Sequence, residues 1–380
     1  MTNQVIFTNA RLVLEDEIIS GTIICRNGKV CEVSEKNTNA AGAIDAEQDY
    51  IIPGLVELHT DNLERHIEPR PKINWPLENA IIAHDSELAS VGITTVFDAL
   101  RTGTVPSGKD RYLQYAQKVA ASIAALVAQD NLKINHLVHL RAEVCSETLV
   151  EELESFKEMS LVKLVSIMDH TPGQRQFCDL EKFKSYIIGK NNLNEEQYKF
   201  HYEKLLAVKE KHGQINLEAA IESANSFGAI KASHDDTTVE HVRNSKNLGI
   251  SLAEFPTTKE AAVECKNLGI LTILGAPNLM RGLSHSGNVS AIELAEIDLI
   301  DIISSDYIPS ALFLSAFKLG SLWGNLAAGI RTVTRNPARA LNLLDRGALK
   351  EKLRADFCRV TEYKNTIKVR ETYVKGQRVA

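Results

Sequence analysis

The sequence predicts an α/β fold in which a (β/α)8 barrel is joined to a small β-sandwich domain formed from both chain termini. Eight short apolar runs alternate with helix-like stretches, and this alternation is typical of a barrel made of βα units. The chain has 380 residues, of which 44% are hydrophobic, so it can bury a barrel core and a second, smaller core. The eight runs lie at residues 55–61, 93–99, 136–143, 161–170, 229–236, 250–256, 271–277 and 301–307.

Alternating segments at the two chain ends predict the sandwich. Residues 1–52 contain several strand-like pieces, and the Asn27-Gly28 step between two of them is a strong hairpin signal. Residues 355–380 contain three more pieces of the same kind. We therefore predict one split domain, 1–52 with 355–380, and an inserted barrel at 53–354. Two unrelated β tails are the alternative.

The helical connections follow from capping signals. Asn336 and Pro337 predict the start of the last barrel helix, because Asn is a good N-cap and Pro suits the first helical position. The connection after the fourth run, residues 171–228, is too long for one βα unit. Its segment 179–211 is charged and helix-like, and Asn194 with Gln197 has the spacing of a capping box. This insertion is either a surface helical hairpin or a lid over the active face.

Side chains of the kind that bind metals stand at the ends of five runs. In a barrel the C-terminal ends of the strands meet at one face, where catalytic groups lie. Buried acids are rare unless they are paired or bind a metal, so five such ends together predict a metal centre rather than ordinary core pairs. The candidate ligands are His59, Asp61, Glu143, His170, His234 and Asp306.

The mixture of carboxylates and imidazoles indicates which ions would bind. Such a set suits Zn²⁺, Mn²⁺ or Fe²⁺, with Mg²⁺ able to arrive with a substrate. The ligand count fits a pair of divalent ions that activate water for hydrolysis. We predict Asp306, near the end of the last run, as the general base, because a carboxylate at that position can take a proton from water.

Basic and hydroxyl side chains follow several of the same runs, and they predict a polyanionic substrate. We expect a helix to begin near Asn288, so that the residues before it offer phosphate the free N–H groups of a helix N-terminus. For any single residue, an ordinary solvated loop charge is the alternative. The candidate substrate-binding residues are Arg70, Lys72, Arg175, Arg281, Ser284, His285, Ser286 and Asn288.

Composition excludes several other classes of protein. The formal net charge of −6 argues against nucleic-acid or membrane binding. The six cysteines are scattered without a CxxC pair, and no basic region followed by an apolar block opens the chain, so we predict a cytoplasmic protein. The sequence leaves a homo-oligomer open.

With these residues identified, the chain resembles the amidohydrolase superfamily. GLVELH at residues 54–59, GITTV at 92–96 and NPA at 336–338 match its pattern, although Asp61 stands where HxH is usual in the wider superfamily. Within it, the chain is similar to the PhnM family of the carbon–phosphorus lyase pathway over nearly its whole length. The matching stretches are ELHTDNLERHIEPRPKINWP, LVSIMDHTPGQRQF, SHDD, AEFPTT, GAPNLMRGLSHSGNVSA and DIISSDYIP.

The resemblance implies metal-dependent hydrolysis of α-D-ribose 1-methylphosphonate 5-triphosphate to the 5-phosphate and pyrophosphate, during phosphonate degradation. It also implies that the six candidate ligands form the metal site. Many superfamily members carry two later histidines on strands five and six, whereas the runs place His170 and His234 on strands four and five. Two alternatives stay open at this point: hydrolysis of an amide, cyclic amide or acetamido sugar, and a non-catalytic scaffold subunit.

Overall fold

The first five strands build most of one sheet. This computed structural model describes residues 4–104, 115–175, 180–191, 193–284, 287–364 and 366–380. Asn27 and Gly28 connect the second and third strands with φ angles of 50° and 78°, as a tight two-residue hairpin requires. The strands are β1 (Gln4–Val13), β2 (Ile18–Arg26), β3 (Lys29–Ser34), β4 (Ile44–Asp45) and β5 (Tyr50–Pro53).

The next eight strands form the parallel barrel, in which neighbours in sequence are neighbours in space. Thr60 and Asp306 form the bridge that joins the last strand to the first. The strands are β6 (Leu55–Thr60), β7 (Ile93–Thr102), β8 (Asn135–Glu143), β9 (Val162–Met168), β10 (Ile230–His234), β11 (Leu252–Glu254), β12 (Leu271–Gly275) and β13 (Ile302–Ser304). Each lies within or overlaps one of the eight apolar runs, so the predicted barrel is confirmed.

Helices connect the barrel strands. Within the described part of the chain they are α1 (Asn62–Ile67), α2 (Leu77–Ser90), α3 (Tyr115–Ala128), α4 (Leu149–Glu154), α5 (Leu180–Asn191), α6 (Glu195–Ser226), α7 (Val239–Asn247), α8 (Lys259–Leu268), α9 (Ala276–Arg281), α10 (Ala291–Glu296), α11 (Ala311–Leu322), α12 (Leu326–Arg331) and α13 (Arg335–Ala340). None of these helices combines the length and the apolar character needed to cross a membrane.

The last helix begins two residues before the predicted start at Pro337. α13 begins at Arg335, and Asn336 lies inside its first turn instead of capping it. The Asn336 side-chain amide donates to the carbonyl oxygen of Asp301 at 2.8 Å, so it ties the helix to the segment before β13. A tertiary partner has replaced the local capping role that the sequence suggested.

The C-terminal strands complete the first sheet. They are β14 (Phe357–Tyr363), β15 (Thr366–Val374) and β16 (Gln377–Arg378), and β14 pairs antiparallel with β5. The sheet folds over one core, in which the rings of Phe357 and Tyr373 stack at 4.6 Å and Phe7 meets both edge-on. The β domain from both chain ends is therefore confirmed. Its limits at residues 53 and 355 stay a prediction.

The interior of the barrel is closed at its N-terminal end. Apolar side chains of the strands, such as Val56, Phe97 and Leu164, pack there with Ala338 and Leu341 from the α13 region. Because these apolar side chains fill the N-terminal end, we look for polar functional groups at the C-terminal end, where the active sites of such barrels lie.

The long insertion at residues 171–228 contains two helices, α5 and the long α6. The second half of α6 packs on the barrel, where Asn216 donates to the carbonyl oxygens of Val144 and Ser146 at 2.9 and 2.7 Å. The first half pairs with α5, and its predicted capping box of Asn194 and Gln197 is present. The helical hairpin is thus part of the structure, while its role as a lid stays a prediction.

Candidate metal centre

The barrel brings the six predicted ligands to its C-terminal face. His59 and Asp61 stand at the end of β6, and Glu143 is the last residue of β8. His170 follows β9, which is the fourth barrel strand, and His234 ends β10, which is the fifth. The two later histidines therefore occupy strands four and five, as the run count indicated. Asp306 follows the eighth strand.

Glu254 lies at the centre of this face, and sequence reasoning did not select it. It ends β11, is fully buried and bonds two ligand candidates at once. Its Oε1 lies 3.1 Å from Nδ1 of His59, and its Oε2 lies 3.0 Å from Nδ1 of His234. The two rings are nearly parallel, with centroids 5.6 Å apart. The signal that could have found it is an acid at the end of the sixth apolar run.

The bonds to Glu254 determine which histidine nitrogens can bind a metal. Burial alone would raise the pKa of Glu254, but the neighbouring histidines hold it well below the usual value. An ionised carboxylate only accepts hydrogen bonds, so the Nδ1 of each ring donates, and in the neutral form of each ring Nε2 keeps its lone pair. The Nε2 of His59 lies 3.9 Å from Asp61, and that of His234 lies 3.4 Å from Asp235.

His170, His234 and Asp235 form one cluster that could hold a metal ion. Their ligand atoms all lie within 4.8 Å of one another. Glu143 accepts hydrogen bonds from Nδ1 and from the backbone N–H of His170, which orients that ring in the same way that Glu254 orients the other two. Imidazoles with carboxylates are a donor set that divalent transition metals accept, so the residues fit such an ion. Asp235 lay in the SHDD stretch but was not selected as a ligand.

A second cluster, His59, His139 and Glu254, lies deeper in the barrel. Both ring nitrogens of His139 already have partners, the Leu58 carbonyl oxygen at 3.0 Å and the Ser166 hydroxyl at 2.9 Å. Burial lowers the pKa of His139 to about 3, so the ring is neutral at physiological pH. We interpret His139 as support beneath the metal-binding layer.

Asp306 lies directly beside the residues of the first strand. Its backbone N–H donates to the His59 carbonyl oxygen at 3.1 Å, and its own carbonyl oxygen accepts from Asp61 N–H at 2.9 Å. Its φ angle of 57° lies in the left-handed region, which Asp tolerates better than most residues and which is frequent at functional sites. The bridge that closes the barrel therefore also positions this carboxylate.

Asp61 is held by a buried cation. Nη1 of Arg141 donates to Oδ1 of Asp61 at 2.6 Å. Burial would raise the pKa of Asp61, yet the Arg141 charge outweighs burial and the pKa is lowered. Asp61 is thus ionised, and the side-chain donor that holds it comes from the third barrel strand.

The predicted substrate-binding residues are spread over three loops. Arg175 is mostly buried and donates to the His234 carbonyl oxygen and to Asp236 at 2.7 and 2.6 Å, so it braces the loop after β10. The three other cationic side chains are exposed, while Ser284 and Asn288 are partly buried. His285 and Ser286 lie outside the described residues. The exposed basic side chains are Arg70, Lys72 and Arg281.

The helix expected to begin near Asn288 begins three residues later. α10 begins at Ala291, with Ser290 as its cap. The N–H of Ala291 donates to the Asn278 side chain at 3.1 Å, and the N–H of Ile292 donates to Ser290 Oγ at 3.2 Å. The N–H groups of Ala291 and Ile292 in the first turn of α10 therefore already have protein acceptors.

Comparison with known proteins agrees with this geometry. The chain is 41% identical over 377 residues to alpha-D-ribose 1-methylphosphonate 5-triphosphate diphosphatase of Escherichia coli (strain K12), covering 98% of this chain and 100% of that protein. Among solved structures, N-acetyl-D-glucosamine-6-phosphate deacetylase from Mycobacterium smegmatis matches with a TM-score of 0.64 at 13% identity, over 99% of this chain and 100% of that chain. A structure described as an amidohydrolase matches with a TM-score of 0.62 at 15% identity, over 99% and 98% of the two chains. No family model matches the sequence.

Proposed function

The chain belongs to the alpha-D-ribose 1-methylphosphonate 5-triphosphate diphosphatase family, and from that premise we propose that it hydrolyses this ribose triphosphate to the 5-phosphate and pyrophosphate. The observation that carries the proposal is the set of oriented imidazoles and carboxylates at the C-terminal ends of the barrel strands. Hydrolysis of an amide or acetamido sugar fits less well, because this family acts on a phosphoanhydride. A scaffold role gives no reason for so many buried and oriented ligands.

We propose that two divalent ions bind here, with Zn²⁺, Mn²⁺ or Fe²⁺ as the candidates and Mg²⁺ arriving with the substrate. His59, Asp61 and Asp306 would supply one group of ligands. His170 and His234 would supply another, with Asp235 added by the geometry. Glu143, which bonds His170, is the remaining predicted ligand. When bound, such ions make water more acidic and polarise a phosphoryl oxygen.

Asp306 is the proposed general base. Its backbone is bonded to both His59 and the N–H of Asp61, so its carboxylate adjoins the ligands of the first strand. It would take a proton from water while the water oxygen attacks the α-phosphorus. The bond between the α-phosphorus and the bridging oxygen then breaks, and the electron pair leaves with pyrophosphate.

The basic loops are proposed to hold the departing pyrophosphate. Arg70 and Lys72 lie between α1 and α2, and Arg281 is the last residue of α9, so their charges can reach an anion at the mouth of the barrel. His285 and Ser286 are proposed for the same role from their place in the sequence. A cytoplasmic location and a homo-oligomeric state remain predictions.

The reaction can be tested directly. ³¹P NMR of the purified protein with the ribose triphosphate should show one equivalent of pyrophosphate and no early orthophosphate. In ¹⁸O-water the label should enter the ribosyl phosphate and be absent from pyrophosphate. Label in pyrophosphate would place the attack at the β-phosphorus, and orthophosphate as first product would place it at the γ-phosphorus; either result contradicts the proposed orientation.

A further inference from the structure

Two arginines stand side by side inside the mouth of the barrel. β7 and β8 are parallel, and Arg101 is the register partner of Arg141. Side chains alternate between the two faces of a strand. Arg101 shares the face of Phe97, which lies in the interior core, and Arg141 shares the face of His139, which contacts Glu254. Both guanidinium groups therefore belong to the interior side of the barrel wall.

Arg141 is buried, and its ion pair with Asp61 uses only part of its guanidinium group. The residue is only 6% exposed, and Nη1 is the atom that bonds Asp61. Its Nε is buried and has no hydrogen-bond partner. A buried donor without a partner is costly and uncommon, so it points to a ligand that completes the site. A guanidinium presents several donors in one plane, and this fork matches the oxygens of a phosphate group.

We propose that Arg101 and Arg141 form a binding site for the phosphate chain of the substrate, next to Asp61. The proposal deepens the proposed function and rests on it, because a condensed phosphate is the anion that the reaction would bring. Arg141 stays on Asp61 through Nη1 and, together with the neighbouring Arg101, presents its remaining guanidinium N–H groups to phosphoryl oxygens. The two residues thus fix the anion beside the metal-binding carboxylate, inside the barrel rather than on its exposed loops.

The test is binding of inorganic tripolyphosphate by calorimetry, on both the metal-free and the metal-loaded protein. The variants are Arg141→Met, Arg101→Met and Arg141→Lys, which keeps a charge for Asp61 but removes the fork. Arg243→Met is the matched control, because Arg243 pairs with Glu264 on the outer helices. A charge-assisted hydrogen bond lost to an anion corresponds to roughly a ten- to hundredfold weaker affinity. We expect this loss in the three test variants and wild-type affinity in the control.

Measuring bound metal distinguishes anion binding by Arg141 from a role in which Arg141 only positions the predicted metal ligand Asp61. Metal bound per chain should stay at the wild-type level in Arg141→Lys and Arg141→Met, together with weaker tripolyphosphate binding. Unchanged tripolyphosphate affinity, or loss of metal from both Arg141 variants, would overturn the proposal. Failure of the proposed function looks different: the wild-type protein would release no pyrophosphate, whatever the arginine variants bind.

Discussion

Glu254→Gln should disable the metal centre while leaving the barrel intact. The carboxylate of Glu254 accepts from Nδ1 of His59 and from Nδ1 of His234 through its two oxygens. Glutamine has nearly the same shape, but one oxygen becomes an NH₂ group that can only donate. One histidine keeps its acceptor, and the other faces a donor. That ring must move its proton to Nε2, which removes the lone pair that would bind a metal.

The size of the effect follows from this single lost contact. Removing the carboxylate partner of a metal-binding histidine typically lowers metal affinity or activity about 10- to 100-fold. That range corresponds to roughly 1.4–2.7 kcal/mol. It agrees with the ~1.5–3 kcal/mol that one hydrogen bond to a charged group contributes. We therefore expect at least about a tenfold loss of metal affinity and a parallel fall in kcat/KM.

The assay is equilibrium dialysis against a buffered series of free Zn²⁺ or Mn²⁺, with metal counted by mass spectrometry. Glu264→Gln is the matched control, because it removes the same charge from α8, where Glu264 pairs with Arg243 outside the barrel. Circular dichroism should report the same fold for both variants. Metal affinity of Glu254→Gln within twofold of the control would refute the orienting role of Glu254.

Three further predictions concern the ligands and a buried network behind them. His59→Ala or Asp306→Asn should abolish activity and reduce bound metal, and normal metal content with a normal rate in both would remove these residues from the site. Asp98 accepts from His84 and His136 at 3.0 and 2.7 Å in a fully buried network, so Asp98→Asn should cost about 3–5 kcal/mol in urea unfolding; a loss below 1 kcal/mol would contradict this. Burial alone would lower the pKa of His136, but Asp98 and Asp85 together raise it to about 9. The stabilisation that protonated His136 contributes is therefore complete below pH ~6.5 and is lost as the pH rises to about 9. The unfolding free energy should fall by about 3 kcal/mol over that window, and a His136→Gln variant with the same slope would exclude His136 as its source.

Local signals in the sequence were enough for the architecture. The apolar runs mark the barrel strands because every strand is buried by the helices outside and the core inside. Asn27-Gly28 and the Asn194–Gln197 capping box were predictable because each is satisfied within a few residues of chain. The six predicted ligands lie at strand ends for a similar reason, because that placement depends only on the direction of the strands.

Only the tertiary structure decided how those side chains are used. Glu254 meets His59 across 195 residues of sequence, and the partnership of Arg101 with Arg141 depends on the register of two strands. Asn336 was predicted to cap a helix, but its side-chain amide instead donates a hydrogen bond to the carbonyl oxygen of Asp301, just before β13. Short-range patterns determine strands, turns and helix ends, whereas the orientation of a buried polar side chain is determined by partners that the fold brings from distant parts of the chain.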